Sequence, residues 1–207
     1  MITANGGTAP LQYSVNNGVT FQAGNTFSGL TGNNYQIIVK DNNGCTQSTT
    51  ANVVAPAAIN IVTAIPTPLT CNNSANGSII ITANGGTAPL QFSINNGVTY
   101  QAGNTFNGLT GSNYQIIVKD NNGCTQSTTA NVVAPAAINI VSAVPSPLTC
   151  SNSMNGTINI TASGGVAPLQ YSINNGVTFQ TGNTFNGLNG NNYQIIVKDN
   201  NGCTKAA

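Results

Sequence analysis

The feature that most constrains this chain is that it repeats itself. Ile2–Asn72 aligns with Ile81–Ser151 without a gap and differs from it at nine positions. The changes are mild: Tyr13 becomes Phe92, Val15 becomes Ile94 and Ser28 becomes Asn107. A third, slightly more divergent copy keeps the same period of 79 residues. That is longer than the roughly 20–45 residues of a solenoid unit and long enough for a small domain. The expectation is therefore a string of small domains rather than one continuous β-solenoid. Ala57-Ala58-Ile59 and Ala136-Ala137-Ile138 open successive copies, so the boundaries are expected at Pro56 and Pro135. Residues 1–56 then read as a first repeat lacking its opening strand, 57–135 as a complete repeat, and 136–207 as a third lacking most of its last strand.

The second copy shows what each unit should be. Ile59, Ile61, Thr63 and Ile65 alternate with Asn60, Val62 and Ala64, as in an edge strand, and Pro66 and Pro68 should stop regular pairing. Ser78–Ala83 is a strand whose faces the repeats themselves distinguish. Ile80 becomes Asn159 in the third copy, while Ile79 and Ile81 remain Ile158 and Ile160. Ile79 and Ile81 should point inward and position 80 outward. Leu90, Phe92 and Ile94 alternate with polar residues up to Asn96-Gly97, a type I′ hairpin signal, because both central positions need positive φ. A short strand over Val98–Gln101 is possible, and Thr105–Leu109 leads into the stretch Asn113–Cys124. There Tyr114, Ile116 and Val118 face one way, and Gln115, Ile117 and Lys119 the other. No segment keeps a 3.6-residue apolar period, and Gly, Asn and Pro are frequent, so helices are not expected. Each unit should be a six- or seven-stranded antiparallel sandwich, giving an all-β chain of tandem immunoglobulin-like repeats.

Asn113–Cys124, repeated as Asn34–Cys45 and Asn192–Cys203, gathers the chemistry of the chain. It holds every Asp, three of the four Lys and three of the five Cys. There is no Arg, Glu, His or Trp, and the formal net charge is +1. Without a basic footprint, neither nucleic acid nor an anionic membrane surface is an expected partner. No apolar run approaches the roughly 18–20 residues of a helical span, so no membrane insertion is expected in this segment. An enzyme is not expected either, because a Ser or Cys nucleophile would have no His to activate it. Lys119 and Asp120 are neighbours on a strand and point to opposite faces, so they cannot act as a dyad. One carboxylate per repeat is too few for a Ca²⁺ loop. Each Asp is expected instead to accept hydrogen bonds from turn N–H groups. No cofactor or metal is expected.

The order of signals in each unit is Cys, a turn, Gly-Ser-Ile-Ile-Ile, Gly-Gly-Thr-Ala-Pro, an alternating strand, Gly-Leu, Tyr-x-Ile-x-Val-Lys-Asp-Asn-Asn-Gly-Cys and then Pro. This resembles the SprB repeat, an immunoglobulin-like unit of large surface adhesins that gliding bacteria export by type IX secretion. Two positions depart from the family pattern. Leu11, Leu90 and Leu169 stand where it usually has an aromatic after the Pro. Asn33, Ser112 and Asn191 stand where it usually has Gly two residues before the Tyr. The resemblance implies an extracellular, cell-surface location and the role of a stalk or spacer, possessing no stated ligand. It also implies that Tyr35, Tyr114 and Tyr193 act as corner tyrosines whose hydroxyls bond backbone across a turn. Asp41, Asp120 and Asp199, with Gly44, Gly123 and Gly202, are read as the turn of a clasp.

An extracellular chain should pair its thiols. Pairing within a repeat, Cys71–Cys124 and Cys150–Cys203, is the expected arrangement, with the partner of Cys45 outside the chain. Pairing across boundaries, Cys45–Cys71 and Cys124–Cys150, and reduced cysteine remain open. If Asn95–Leu109 makes two strands rather than one, the two turns of a repeat lie at opposite ends, and a bridge has to join neighbouring repeats. The expected partners are neighbouring repeats of the same chain. Two rival functions are surface polysaccharide binding by avidity, through outward Asn, Thr and Gln, and self-assembly with other copies into a filament.

Overall fold

A computed structural model describes residues 1–150 and 153–207. The chain divides into two units, Met1–Ala58 and Ile59–Ala207. Among the described residues every regular element is a strand, and all strand ladders are antiparallel.

The first unit has one three-stranded sheet in the order β1-β2-β3, with β1 at Gln12–Ser14, β2 at Asn33–Lys40 and β3 at Thr46–Val53. One face of it borders an open depression of about 500 Å³ lined by Ile2, Leu11, Ile37 and Val39.

The second unit holds two sandwiches. In the first, β4 (Asn60–Thr67), β5 (Gly77–Asn84) and β7 (Thr105–Leu109) form one sheet in the order β4-β5-β7. Strands β6 (Gln91–Ser93), β8 (Ser112–Lys119) and β9 (Thr125–Val132) form the other, in the order β6-β8-β9. The core lies between them: Ile79 and Ile81 of one sheet pack with Phe92, Ile116, Val118, Ala130 and Val132 of the other. Ile79, Ile81, Ile116 and Val118 are wholly buried, whereas Ile80 is 45% exposed. These faces are the ones the period-two pattern assigns. The third repeat builds the same pair of sheets. One has β10 (Asn139–Ser146), β11 (Gly156–Ser163) and β13 (Thr184–Leu188) in the order β10-β11-β13. The other has β12 (Gln170–Ser172), β14 (Ile196–Lys198) and β15 (Thr204–Ala206) in the order β12-β14-β15. Ile158, Ile160 and Val197 form its buried centre.

The hairpin at Asn96-Gly97 has φ of 57° and 79°, as a type I′ turn requires. Ser93 sits beneath it, wholly buried. Its Oγ accepts the Gly97 N–H at 2.9 Å and donates to Asn95 Oδ1 at 2.8 Å. The same pair of bonds recurs at Ser14 and Ser172.

Three local expectations are corrected. The alternation of β4 breaks at a bulge between Ile61 and Thr63, so Ala64 turns inward and Ile65 is exposed. Pro66 does not stop pairing: it lies in β4 opposite Ile79, and the ladder runs on to Thr67. Proline is tolerated there because β4 is an edge strand. Thr105–Leu109 is a strand rather than a connection, and it belongs to the sheet opposite β6.

Candidate functional site

The clasp is built on the β8–β9 hairpin. Asp120 is 4% exposed, and its carboxylate has three backbone donors. Oδ1 accepts the N–H groups of Asn122 at 2.9 Å and Cys124 at 2.8 Å, and Oδ2 accepts that of Thr87 at 2.9 Å. The backbone adds bonds from Asn121 N to Thr87 O and from Asp120 N to Cys124 O, both 2.9 Å. One side chain thus closes its own turn and pins it to the Gly-Gly loop before β6. Gly123 has φ +84°, which favours glycine, and at Gly86 a Cβ would lie 2.8 Å from Ile59 Cγ1 and 3.0 Å from Asp120 Cβ. Asp41 and Asp199 make the corresponding bonds, and Gly44 and Gly202 share the φ of +84°. The donated bond from Thr87 N–H, joined by those from Cys124 and Asn122, holds the Asp120 carboxyl below its ordinary value, against the opposing effect of desolvation. Asp41 is lowered in the same way, with Thr8 the largest contributor.

At the other end of β8, Tyr114 Oη donates to Thr110 O at 3.0 Å. Tyr35 and Tyr193 reach Thr31 O at 2.9 Å and Asn189 O at 3.1 Å. A further contact was missed in the sequence. Lys119 Nζ lies 4.0 Å from the Tyr100 ring centroid, and Lys40 and Lys198 cover Phe21 and Phe179 at 4.2 and 4.1 Å. The only available signal was that position 100 stays aromatic in all three copies.

The cysteines do not pair within a repeat. Cys71 bonds Cys203, 132 positions away, with Cα atoms 5.7 Å apart. Cys45, Cys124 and Cys150 are free and exposed. The expected Cys71–Cys124 and Cys150–Cys203 pairs are thus corrected, and the reason is topological. Cys71 lies in the turn before β5, and the clasp packs on the loop after β5. Eight residues of extended β5 separate those ends by about 26 Å. The segment Asn95–Leu109 does return as two pieces, an antiparallel bridge of Gln101 to Phe92 and then β7 in the opposite sheet.

The ends that meet belong to consecutive repeats. Asn72 Nδ2 donates to Pro135 O at 2.8 Å, tying the Cys71 turn to the inter-repeat connection. Asn201 Nδ2, in the third clasp, donates to Thr70 O at 2.8 Å beside the bridge. In the other two copies the corresponding amides, Asn43 and Asn122, bond the Thr8 and Thr87 hydroxyls of their own repeat. Val166 replaces that threonine in the third copy, which frees Asn201 to reach across the junction. Among the described residues no three His, Cys, Asp or Glu side chains gather as a metal site would need.

The SprB repeat family matches this chain at residues 63–99 and 142–178. Each matched stretch runs from the first strand of a unit through the Cys turn and into the hairpin, and the Asp clasp lies beyond it. No curated protein matches the chain. Among solved structures it is similar to the N-terminal eight Ig domains of Down Syndrome Cell Adhesion Molecule isoform 1.30.30. That likeness has 11% identity and a TM-score of 0.45, and covers 84% of this chain and 27% of the other. It is also similar to extracellular domains 3–5 of Drosophila OTK, with 12% identity, a TM-score of 0.30, and coverage of 85% and 68%. Neither likeness is close enough to carry an argument about function. The chain thus matches the SprB repeat at two stretches one period apart, and its second unit folds as two immunoglobulin-like antiparallel sandwiches.

Proposed function

We propose that this chain is a spacer segment of an extracellular bacterial surface adhesin, its repeats holding a distant binding element away from the cell and carrying tension. The observation that carries this reading is the Cys71–Cys203 bridge between consecutive sandwiches. It ties one sandwich covalently to the next, and structural disulfides belong to oxidising compartments outside the cytosol. The charged groups support the same reading. The three carboxylates are engaged by turn N–H groups, and three of the four lysines cover aromatic rings. Tyr100 offered a ring on which a sugar could stack, and Lys119 lies over it. That favours the spacer over glycan binding by avidity.

The test is a glycan array probed with the oxidised full chain, alongside pulling of single molecules from their two ends. The spacer reading expects no binding above background and discrete unfolding events that recover on relaxation. Reproducible binding of a defined glycan, or stretching without discrete events, would overturn it.

A further inference from the structure

The bridge and the repeat together say more than either alone. The separation of 132 is one 79-residue period plus the 53 residues between the two cysteines of a unit. We propose that Cys71–Cys203 is one rung of a regular series: in a longer run of this repeat, the first cysteine of each unit pairs with the second cysteine of the next. The three free thiols of this chain are then half-rungs rather than spare cysteines.

Both halves are already built alike in paired and unpaired copies. On the first-cysteine side, Ser74 Oγ donates to Cys71 O at 2.8 Å and accepts the Cys71 N–H at 3.3 Å. Ser153 does the same for Cys150, at 2.8 and 3.3 Å. Asn76 Nδ2 closes that turn on Thr70 Oγ1, and Asn155 Nδ2 on Thr149 Oγ1. On the second-cysteine side, the N–H of Cys203 is held by Asp199 Oδ1 at 2.9 Å, that of Cys124 by Asp120 at 2.8 Å and that of Cys45 by Asp41 at 2.9 Å. A cysteine held in the same turn, at the same end of the same sandwich, meets the same neighbour wherever the junction recurs.

Each rung forms by two thiol–disulfide exchanges. An external disulfide, either a small molecule or the active-site disulfide of an oxidoreductase, first forms a mixed disulfide with one thiolate. The second thiolate displaces it. Two thiol protons and two electrons leave the protein as one S–S bond forms, and the external disulfide is reduced to two thiols.

Because the loop each rung closes is longer than a repeat, successive rungs interleave. Tension entering at one rung crosses to the second cysteine of the next unit. It then runs 26 residues, the spacing of Cys45 to Cys71, to the next rung on that path. The skipped rungs form a second path, so an array carries load along two covalent routes.

Non-reducing peptide mapping of the full chain, refolded in a glutathione redox buffer and alkylated, tests the first rung. The expected result is a Cys71–Cys203 peptide with Cys45, Cys124 and Cys150 alkylated; any other major pairing overturns the proposal. Pulled from its ends, the oxidised chain should stop about 440 Å short of the reduced chain; equal lengths would overturn it. The series is tested by lengthening the chain after Ala207 with a copy of residues 129–207. Cys150 should then pair with the second cysteine of the appended copy, while the Cys71–Cys203 peptide reports that the array has folded. A folded array with Cys150 still alkylated defeats the series. Should that chain not fold, a copy of residues 1–79 placed before Met1 asks the same of Cys124, which should pair with the added copy of Cys71. These pairings do not depend on glycan binding, so the rungs and the spacer role can fail separately.

Discussion

The octapeptide Thr-Gln-Ser-Thr-Thr-Ala-Asn-Val forms a strand twice, as β3 and as β9. Each copy pairs in the same register with nearly the same neighbour, Asn33–Lys40 in one case and Ser112–Lys119 in the other. Their surroundings differ. Seven residues of β3 are exposed and Val53 is half-buried, whereas in β9 Ala130 and Val132 join the core. The second sheet makes the difference. In the complete sandwich Val132 reaches Gly77 at the start of β5, and Leu69 N–H donates to Val133 O at 2.9 Å. Alternation in a strand therefore sets which side chains can be buried. For this strand burial comes from the opposing sheet, and at roughly 25 cal/mol per Å² that is where its stabilisation lies.

The largest expected contrast is at the centre of the two long strands. Ile116→Ala removes a wholly buried side chain between two sheets and should cost about 2–5 kcal/mol. Ile37→Ala, at the same place in the single-sheet unit, where the side chain is 8% exposed, should cost less. Guanidinium unfolding of the two variants measures both, and equal losses would break the comparison. A smaller contrast is expected at the strand ends. Val132→Ala should cost about 1–2 kcal/mol and Val53→Ala about 0.5 or less. If Val53→Ala proved as damaging, β3 would have a covering that the sheet alone does not supply.

The clasp should sharpen the comparison by behaving alike in both regions. Asp120 and Asp41 have folded carboxyls below the ordinary value of 3.8. A depressed folded value gives stability that is present above the unfolded value and lost as pH falls through the folded one. The thermal midpoint should therefore fall on acidification from about pH 4 downward. Asp120→Asn and Asp41→Asn should each flatten that dependence. A profile below pH 4 unchanged by both substitutions would remove the carboxylates from the account.

Much of this was legible in the residues. The Ile80 to Asn159 exchange marked the outer face of a strand, and Asn96-Gly97 marked a hairpin, because both depend on local geometry. The bulge in β4 was hidden, since Ile61-Val62-Thr63-Ala64 alternates well enough and only the partner strand decides where the register slips. Strand β7 was hidden by its composition, a Thr-Phe-Asn-Gly-Leu run whose Gly108 sits at positive φ. Missing β7 as a strand left the bridge ambiguous. Whether two turns share an end depends on how often the chain crosses the sandwich between them. The lysine caps were hidden for a similar reason: Lys119 and Tyr100 lie far apart in sequence and meet only when the hairpin folds over β8.

The long-range bridge also bears on cleavage. A protease that cuts one peptide bond anywhere between Cys71 and Cys203 leaves the two fragments covalently joined. The segment can thus be nicked there and still not be severed.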